Sequence, residues 1–359
     1  MPTTARQECG GNVMKIGFEM ADDSRRLRMT AGKLGVTMIF HTILLDLLYA
    51  LSGITEPLIW IIFGEYPGVL GPYAVKIISG IVDAAVYLVA FMLPVGFFFM
   101  ISPRAMHRPM RLDVKVPREL WALILFAIGA NTAASYVNHY FLTAVGMPQT
   151  SSGVEATDAV GIVLSFINMA LVPAVCEEFL FRGCVLSSLL PYGKTTAIIG
   201  SAMMFALMHN NFWQFFYTFV AGIILGAVYV YTGSIWAGTF IHLFNNFSSV
   251  VLGAILEHVA PERAAAISFL ADAVLILAGL CAGAYLVIRN GKNKSADDGE
   301  TSEIGAVCPD AVKSFFAPSV IIYFVIIVVA FLSYILINDR TKVAHTEELK
   351  TISRKRKLI

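Results

Sequence analysis

Apolar stretches long enough to cross a bilayer alternate along this chain with short polar blocks. A bilayer core takes about 20 consecutive apolar residues in a helix, so runs of this length predict membrane helices and not strands. Such runs fall near 35–63, 77–101, 119–144, 163–190, 195–211, 213–232, 234–255, 264–288 and 316–338. They predict an all-α fold, a polytopic transmembrane helical bundle of about eight to nine membrane helices. The count turns on the first run. It is too long for one simple span, is open to a break at Gly53 to Pro57, and precedes the turn-rich Glu65, Tyr66, Pro67 and Gly68.

The polar blocks divide the chain. Residues 1–34 form a polar N-terminal segment without the apolar core and small-residue cleavage site of a secretory signal peptide, so the first span is expected to anchor the chain uncleaved. N-terminal transmembrane helices occupy 35–158, a block with ionisable and polar residues inside its apolar runs occupies 159–255, and one more transmembrane helix occupies 256–290. A polar linker, 291–315, carries Lys294, Asp297, Asp298, Glu300 and Glu303; a final transmembrane helix (316–338) and a basic C-terminal tail (339–359) follow.

Basic residues set the expected orientation, because short cytoplasmic loops carry an excess of Lys and Arg. Arg25, Arg26, Arg28 and Lys33 precede the first span, and Arg104, Arg108, Arg111, Lys115 and Arg118 follow the second. The N-terminus is therefore expected in the cytoplasm, with Met147 to Asp158 outside and Lys194, Arg289, Lys292 and Lys294 inside. The tail residues Arg354, Lys355, Arg356 and Lys357 would then lie outside after a ninth crossing, so either one span is miscounted or the tail escapes the rule. The cell membrane is the expected location.

Composition agrees with the pattern. Hydrophobic residues make up 57% of the chain and charged residues only 14%, with a mean hydropathy of +0.72. Soluble domains carry about 25% charged residues. The basic residues flank spans and form no face with interleaved aromatics, which excludes a nucleic-acid partner. Cys9, Cys176, Cys184, Cys281 and Cys308 are irregularly spaced and signal neither a disulfide framework nor a Cys-x-x-Cys metal site. No internal repeat is visible, which argues against two inverted transporter halves.

Against this background, Glu177, Glu178 and Arg182 stand out inside an apolar run. Each ionised group at a helix centre costs roughly 2.5 to 3.5 kcal/mol on insertion scales, so the cluster points to function. Pro191, Tyr192, Gly193 and Lys194 form a turn by composition, making the flanking helices antiparallel neighbours. With a rise of about 1.5 Å per residue, Glu177 and His209 both stand about 20 Å from that turn. After the short link at Thr232 and Gly233, His242 and Asn246 sit about 12 and about 18 Å up the next helix. Carboxylate, two histidines and an asparagine can therefore converge near mid-bilayer.

The faces agree with convergence. His242 and Asn246 are one helical turn apart, as are Phe205 and His209, and as are Glu178 and Arg182 with the acid N-terminal, the better order for an ion pair. Glu178 then neutralises Arg182 as structural support, while Glu177, about 100° round the helix, stays available for chemistry. These residue types fit peptide-bond hydrolysis by activated water. Glu177 can take a proton from water and return it to a leaving amine, and His209 can orient that water or share the proton. His242 and Asn246 can donate to the oxyanion of a tetrahedral intermediate.

Glu177, Glu178 and Arg182, then Phe205 and His209, then His242 and Asn246, in this order and spacing, resemble the three-motif signature of the CPBP (Abi) intramembrane proteases, which include the CAAX prenyl endopeptidases of eukaryotes. Phe181, Arg182 and Gly183 strengthen the likeness, which covers roughly 160–255 and makes that stretch a CPBP-like catalytic core. It implies a membrane endopeptidase with Glu177, His209, His242 and Asn246 as catalytic residues. A membrane-associated protein or peptide would be its substrate. Similar proteins process prenylated CAAX chains or serve in peptide processing and bacteriocin self-immunity.

Metal dependence stays open at this level. Glu177, His209 and His242 could form a zinc shell with an open fourth position, but the chain has no His-Glu-x-x-His, and the residues have roles without an ion. The preferred expectation needs no cofactor. Two other function classes remain: a non-enzymatic immunity or scaffold protein of the bilayer, and a proton-coupled transporter, which also buries Glu, His and Arg. His41 and His139 read as packing or interfacial residues, Asn210 and Asn245 as polar lining or caps, and Cys176 and Cys184 as packing.

Overall fold

The computed structural model describes residues 5–64, 70–103, 111–147, 158–294 and 310–333. Every regular element among them is helical. In chain order these are α1 (Ala5–Ile59, extended by a π-helical turn at Trp60–Gly64), α2 (Leu70–Ile101), α3 (Leu120–Ala144) and α4 (Ala159–Tyr192). There follow α5 (Lys194–Met208), α6 (Phe212–Thr232), α7 (Ile235–Glu257), α8 (Pro261–Lys294), the short α9 (Ala311–Phe315) and α10 (Pro318–Ser333).

Seven helices among the described residues are long and apolar enough to cross a membrane, so the chain is an integral membrane protein. The apolar helix α5 is shorter, and α10 is described only as far as Ser333. The expected span at 195–211 thus stops early, and the reason is local. Asn210 has φ +46°, and the Asn211 side chain accepts from the Trp213 N–H to cap α6. At about 1.5 Å per residue α5 falls short of the roughly 30 Å core and sets His209 at a turn. The first run is not broken: α1 passes through Gly53 and Pro57. It also takes in much of the polar N-terminal stretch, because Leu27, Ala31 and Leu34 face inward and are buried. Most of the polar linker and the whole basic tail lie outside the described residues.

The core gathers α1, α2, α4 and α5 around Met38, Phe91, Phe98, Leu180, Phe181 and Phe205. Cys176 and Cys184 are buried within it. Apolar side chains drive little association inside lipid, so helices there pack through small residues. A Cβ on Gly129 of α3 would stand 2.7 Å from Gly279 Cα of α8, and one on Gly222 of α6 would stand 2.8 Å from Ala202 Cα of α5. Backbones meet directly at both places. The other face of α8 exposes Leu270, Leu277 and Val287, which suits a helix against lipid.

Most of the irregularity is in α4. It begins where Asp158 caps its first turn, accepting from the Gly161 N–H at 2.6 Å and from Lys76 at 2.9 Å. The Gly161 bond, more than the lysine, holds the Asp158 carboxyl below its ordinary range. Two π-helical stretches, Phe166–Leu171 and Phe179–Leu186, bracket the segment that carries Glu177 and Glu178. Pro173, just after the first, has no N–H and crowds the preceding turn, so a widened turn relieves it. After the second, the Ser187 hydroxyl donates to the Arg182 carbonyl at 2.8 Å.

Candidate active site

Polar side chains from α2, α4, α5 and α7 meet inside the bundle. Glu178 and Arg182 lie wholly out of solvent, and Arg182 Nη1 donates to Glu178 Oε1 at 2.7 Å. Arg182 Nη2 donates to the Gly222 carbonyl at 3.3 Å, and the guanidinium lies 4.8 Å from the Phe205 ring centre. Glu178 Oε1 accepts a second bond, from His242 Nδ1 at 3.1 Å. One oxygen of the ion pair therefore also fixes the His242 ring. A carboxylate can only accept here, so Nδ1 carries a hydrogen and donates it, and Nε2 points elsewhere.

Nε2 of His242 lies 3.7 Å from Glu177 Oε2. Glu177 is buried, Oε2 has no hydrogen-bond partner, and Oε1 accepts from the Tyr87 hydroxyl. His209 closes α5 and donates Nδ1–H to the Phe205 carbonyl at 2.9 Å, so that Nε2 is the acceptor whenever the ring is neutral. Phe205 is the shared wall: its ring meets those of Phe181, His209 and His242 edge-on at 5.1, 5.0 and 5.8 Å. Asn246 follows His242 by one turn of α7, and its side-chain oxygen accepts from Asn245 at 3.3 Å.

The four residues expected to do chemistry, Glu177, His209, His242 and Asn246, line one cavity of about 730 Å³. Glu178 and Arg182 stand behind it. Among the described residues no three His, Cys, Asp or Glu side chains are grouped so as to hold a metal ion. Glu177, His209 and His242 line the same cavity.

Some of the lining has no counterpart in the sequence-level reading. Tyr87 comes from α2, in the half of the chain that carries no motif. Asn131 of α3 donates to Asn245 at 3.2 Å, and Asp272 of α8 accepts from the Tyr136 hydroxyl at 2.9 Å. Asp272 did carry a signal, since it is a carboxylate inside an apolar run, as Glu177 and Glu178 are. Tyr87 carried none: an aromatic among aliphatic residues reads as packing.

The close fit behind Glu178 gives a test. A Cβ on Gly238 would stand 2.9 Å from Glu178 Oε2, whereas one on Gly96 of α2 meets nothing within 4 Å. Gly238→Ala should cost about 1–3 kcal/mol through overpacking, and Gly96→Ala should be neutral or stabilising through helix propensity. Thermal midpoints in detergent check both. Equal midpoints for the two variants would refute the contact.

Residues 159–248 match the family described as type II CAAX prenyl endopeptidase Rce1-like. The match bears out the resemblance in the three motifs and holds Glu177, Glu178, Arg182, His209, His242 and Asn246. It ends before α8 and begins after α3, so both elements that add Asn131 and Asp272 lie beyond it. No curated protein and no solved structure matches the chain.

Proposed function

We propose that the chain is an intramembrane endopeptidase of the CAAX-protease-like kind, cleaving a membrane-associated protein or peptide with a water activated by Glu177 and His209. The observation that carries the reading is Glu177 Oε2, buried and without a partner in a cavity that His209, His242 and Asn246 also line. A buried, unpaired carboxylate oxygen is costly, and one at the wall of a polar cavity is placed to use a water.

The steps use groups already in place. A water between Glu177 and the scissile carbonyl gives one proton to Oε2, while His209 Nε2 accepts its other hydrogen in a bond that aims the oxygen. The oxygen attacks the carbonyl carbon, and the π electrons move to the carbonyl oxygen. His242, when both ring nitrogens are protonated, gives one N–H to Glu178 and another to that oxyanion, with the Asn246 amide as the second donor. Collapse restores the carbonyl, breaks the C–N bond, and passes the proton on Glu177 to the leaving amine. Each proton taken is returned. No step needs an ion, and we place the N-terminus in the cytoplasm from the basic residues that flank its first spans.

Quantitative proteomics of membranes carrying the wild type or Glu177→Gln at equal abundance tests the reading. New termini that depend on Glu177, and that persist when purified protein is dialysed against a chelator, are expected. Identical termini in both membranes would overturn the protease and favour a non-enzymatic membrane scaffold. Cleavage lost on chelation and restored by zinc would overturn the metal-free chemistry alone.

A further inference from the structure

We propose that Tyr87 is a positioning residue for the water-activating carboxylate, so that the N-terminal helices supply part of the machinery and the matched segment 159–248 does not hold all of it. The inference rests on the proteolytic reading of the same site.

The two oxygens of a glutamate are equivalent until one is committed, and the terminal torsion that exchanges them is soft. In this site the commitment is made from outside the family-matched segment. The Tyr87 hydroxyl has one proton and donates it to Glu177 Oε1. Oε2 is left as the oxygen that can take a proton from water, and it is the one that faces His242 Nε2. Without the hydroxyl, both oxygens of a buried carboxylate would lack a partner, and the group could rotate away from the cavity or draw a water to the wrong side.

An anchor works only if it is itself fixed. The Tyr87 ring stacks on Phe91 with centroids 4.5 Å apart and planes 20° apart. Phe91 is wholly buried, and the His41 ring meets it in an edge-type contact, with centroids 4.5 Å and planes 62° apart. His41 in turn donates Nδ1–H to the Ala90 carbonyl at 2.8 Å. A packed column therefore runs from α1 through α2 to α4: His41, Phe91, Tyr87, Glu177. Membrane tyrosines more often sit at the interface with the hydroxyl toward headgroups. Tyr87 lies about midway along α2 and turns its hydroxyl to a carboxylate inside the bundle.

Tyr87→Phe removes the hydroxyl and keeps the ring and its stack. In the full chain in detergent, the infrared difference between wild type and Glu177→Gln isolates the Glu177 carboxyl band. Tyr87→Phe is expected to move that band. On a peptide spanning a cleavage site mapped in the proteomic comparison, it is expected to lower kcat by about 10-fold or more with KM little changed, while the lost hydrogen bond to a buried charged group lowers the thermal midpoint only modestly. Phe91→Leu keeps the hydroxyl but loosens its ring, and should move both readings the same way by less; it carries the test if Tyr87→Phe does not accumulate. An unmoved band, or a moved band with full kcat, overturns the proposal. So does a loss confined to KM or to the thermal midpoint, which would make Tyr87 a packing residue. A wild type that cleaves nothing while the band still moves overturns the proteolytic reading and the role drawn from it, while leaving the hydrogen bond in place.

Discussion

Glu177→Gln lowers kcat by about 10²- to 10⁴-fold, the usual worth of a general base, and leaves the folded yield unchanged. The amide keeps the size and shape of the carboxyl, and its oxygen can still accept from Tyr87, so the packing around it has no reason to change. What disappears is the oxygen able to take a proton from water, Oε2, which has no hydrogen-bond partner of its own. Steady-state cleavage of a mapped peptide, with circular dichroism and size exclusion as controls, measures the split. A variant that keeps a tenth or more of the wild-type kcat would remove Glu177 from the base role, and one that loses its fold would make it a structural residue.

Arg182→Ala should act on the other side of the division. Removing one partner of a buried ion pair costs about 3–5 kcal/mol, because the remaining charge has nothing to answer it. Here Glu178 would stay at a fully buried position with only His242 to donate to it, and Gly222 and Phe205 would lose a guanidinium that fills the space between them. Little folded protein is expected from membranes. The double variant Glu178→Gln with Arg182→Met should recover much of that yield, since it removes both charges and leaves neither buried without its partner. Its activity should stay low, because a neutral amide holds the His242 ring more weakly than the carboxylate does. Thermal midpoint and kcat measured on the same preparations separate these effects. A single variant as stable as wild type would show the pair to be dispensable.

The site was legible where charge contradicts its solvent. Glu177, Glu178, Arg182, His209 and His242 announce themselves because ionisable groups are scarce in apolar runs, and helix rise put Glu177 and His209 at one depth with His242 and Asn246 in reach; one cavity now holds Glu177, His209, His242 and Asn246. The pairing of Glu178 with Arg182 was legible because it is local, within one turn. Contacts across the sequence were not. Tyr87 reaches Glu177 through tertiary packing that no spacing along the chain encodes, and Asn131 reaches Asn245 in the same way. The all-helical, membrane-spanning fold followed from run length, while its ends did not. Hydropathy does not register the Asn211 cap that cuts α5 short, nor the ability of α1 to carry Gly53 and Pro57 without breaking. The π-helical stretches of α4 are invisible to any count that assumes an ideal turn.

The short separation between Glu178 and Arg182 also bears on how the chain is made. Synthesis proceeds from the N-terminus, and early segments settle before later ones exist. When α4 leaves the ribosome, α2 with Tyr87 is already available, but α7 with His242 has not yet been translated. At that moment a carboxylate and a guanidinium within one turn of each other can cancel without waiting for another helix, and the first carboxylate of the cluster can find a hydroxyl upstream. Every charge in α4 thus has a companion that the translocon meets at the same time or earlier, and the histidine arrives last, into a bilayer where the acids it needs are already settled.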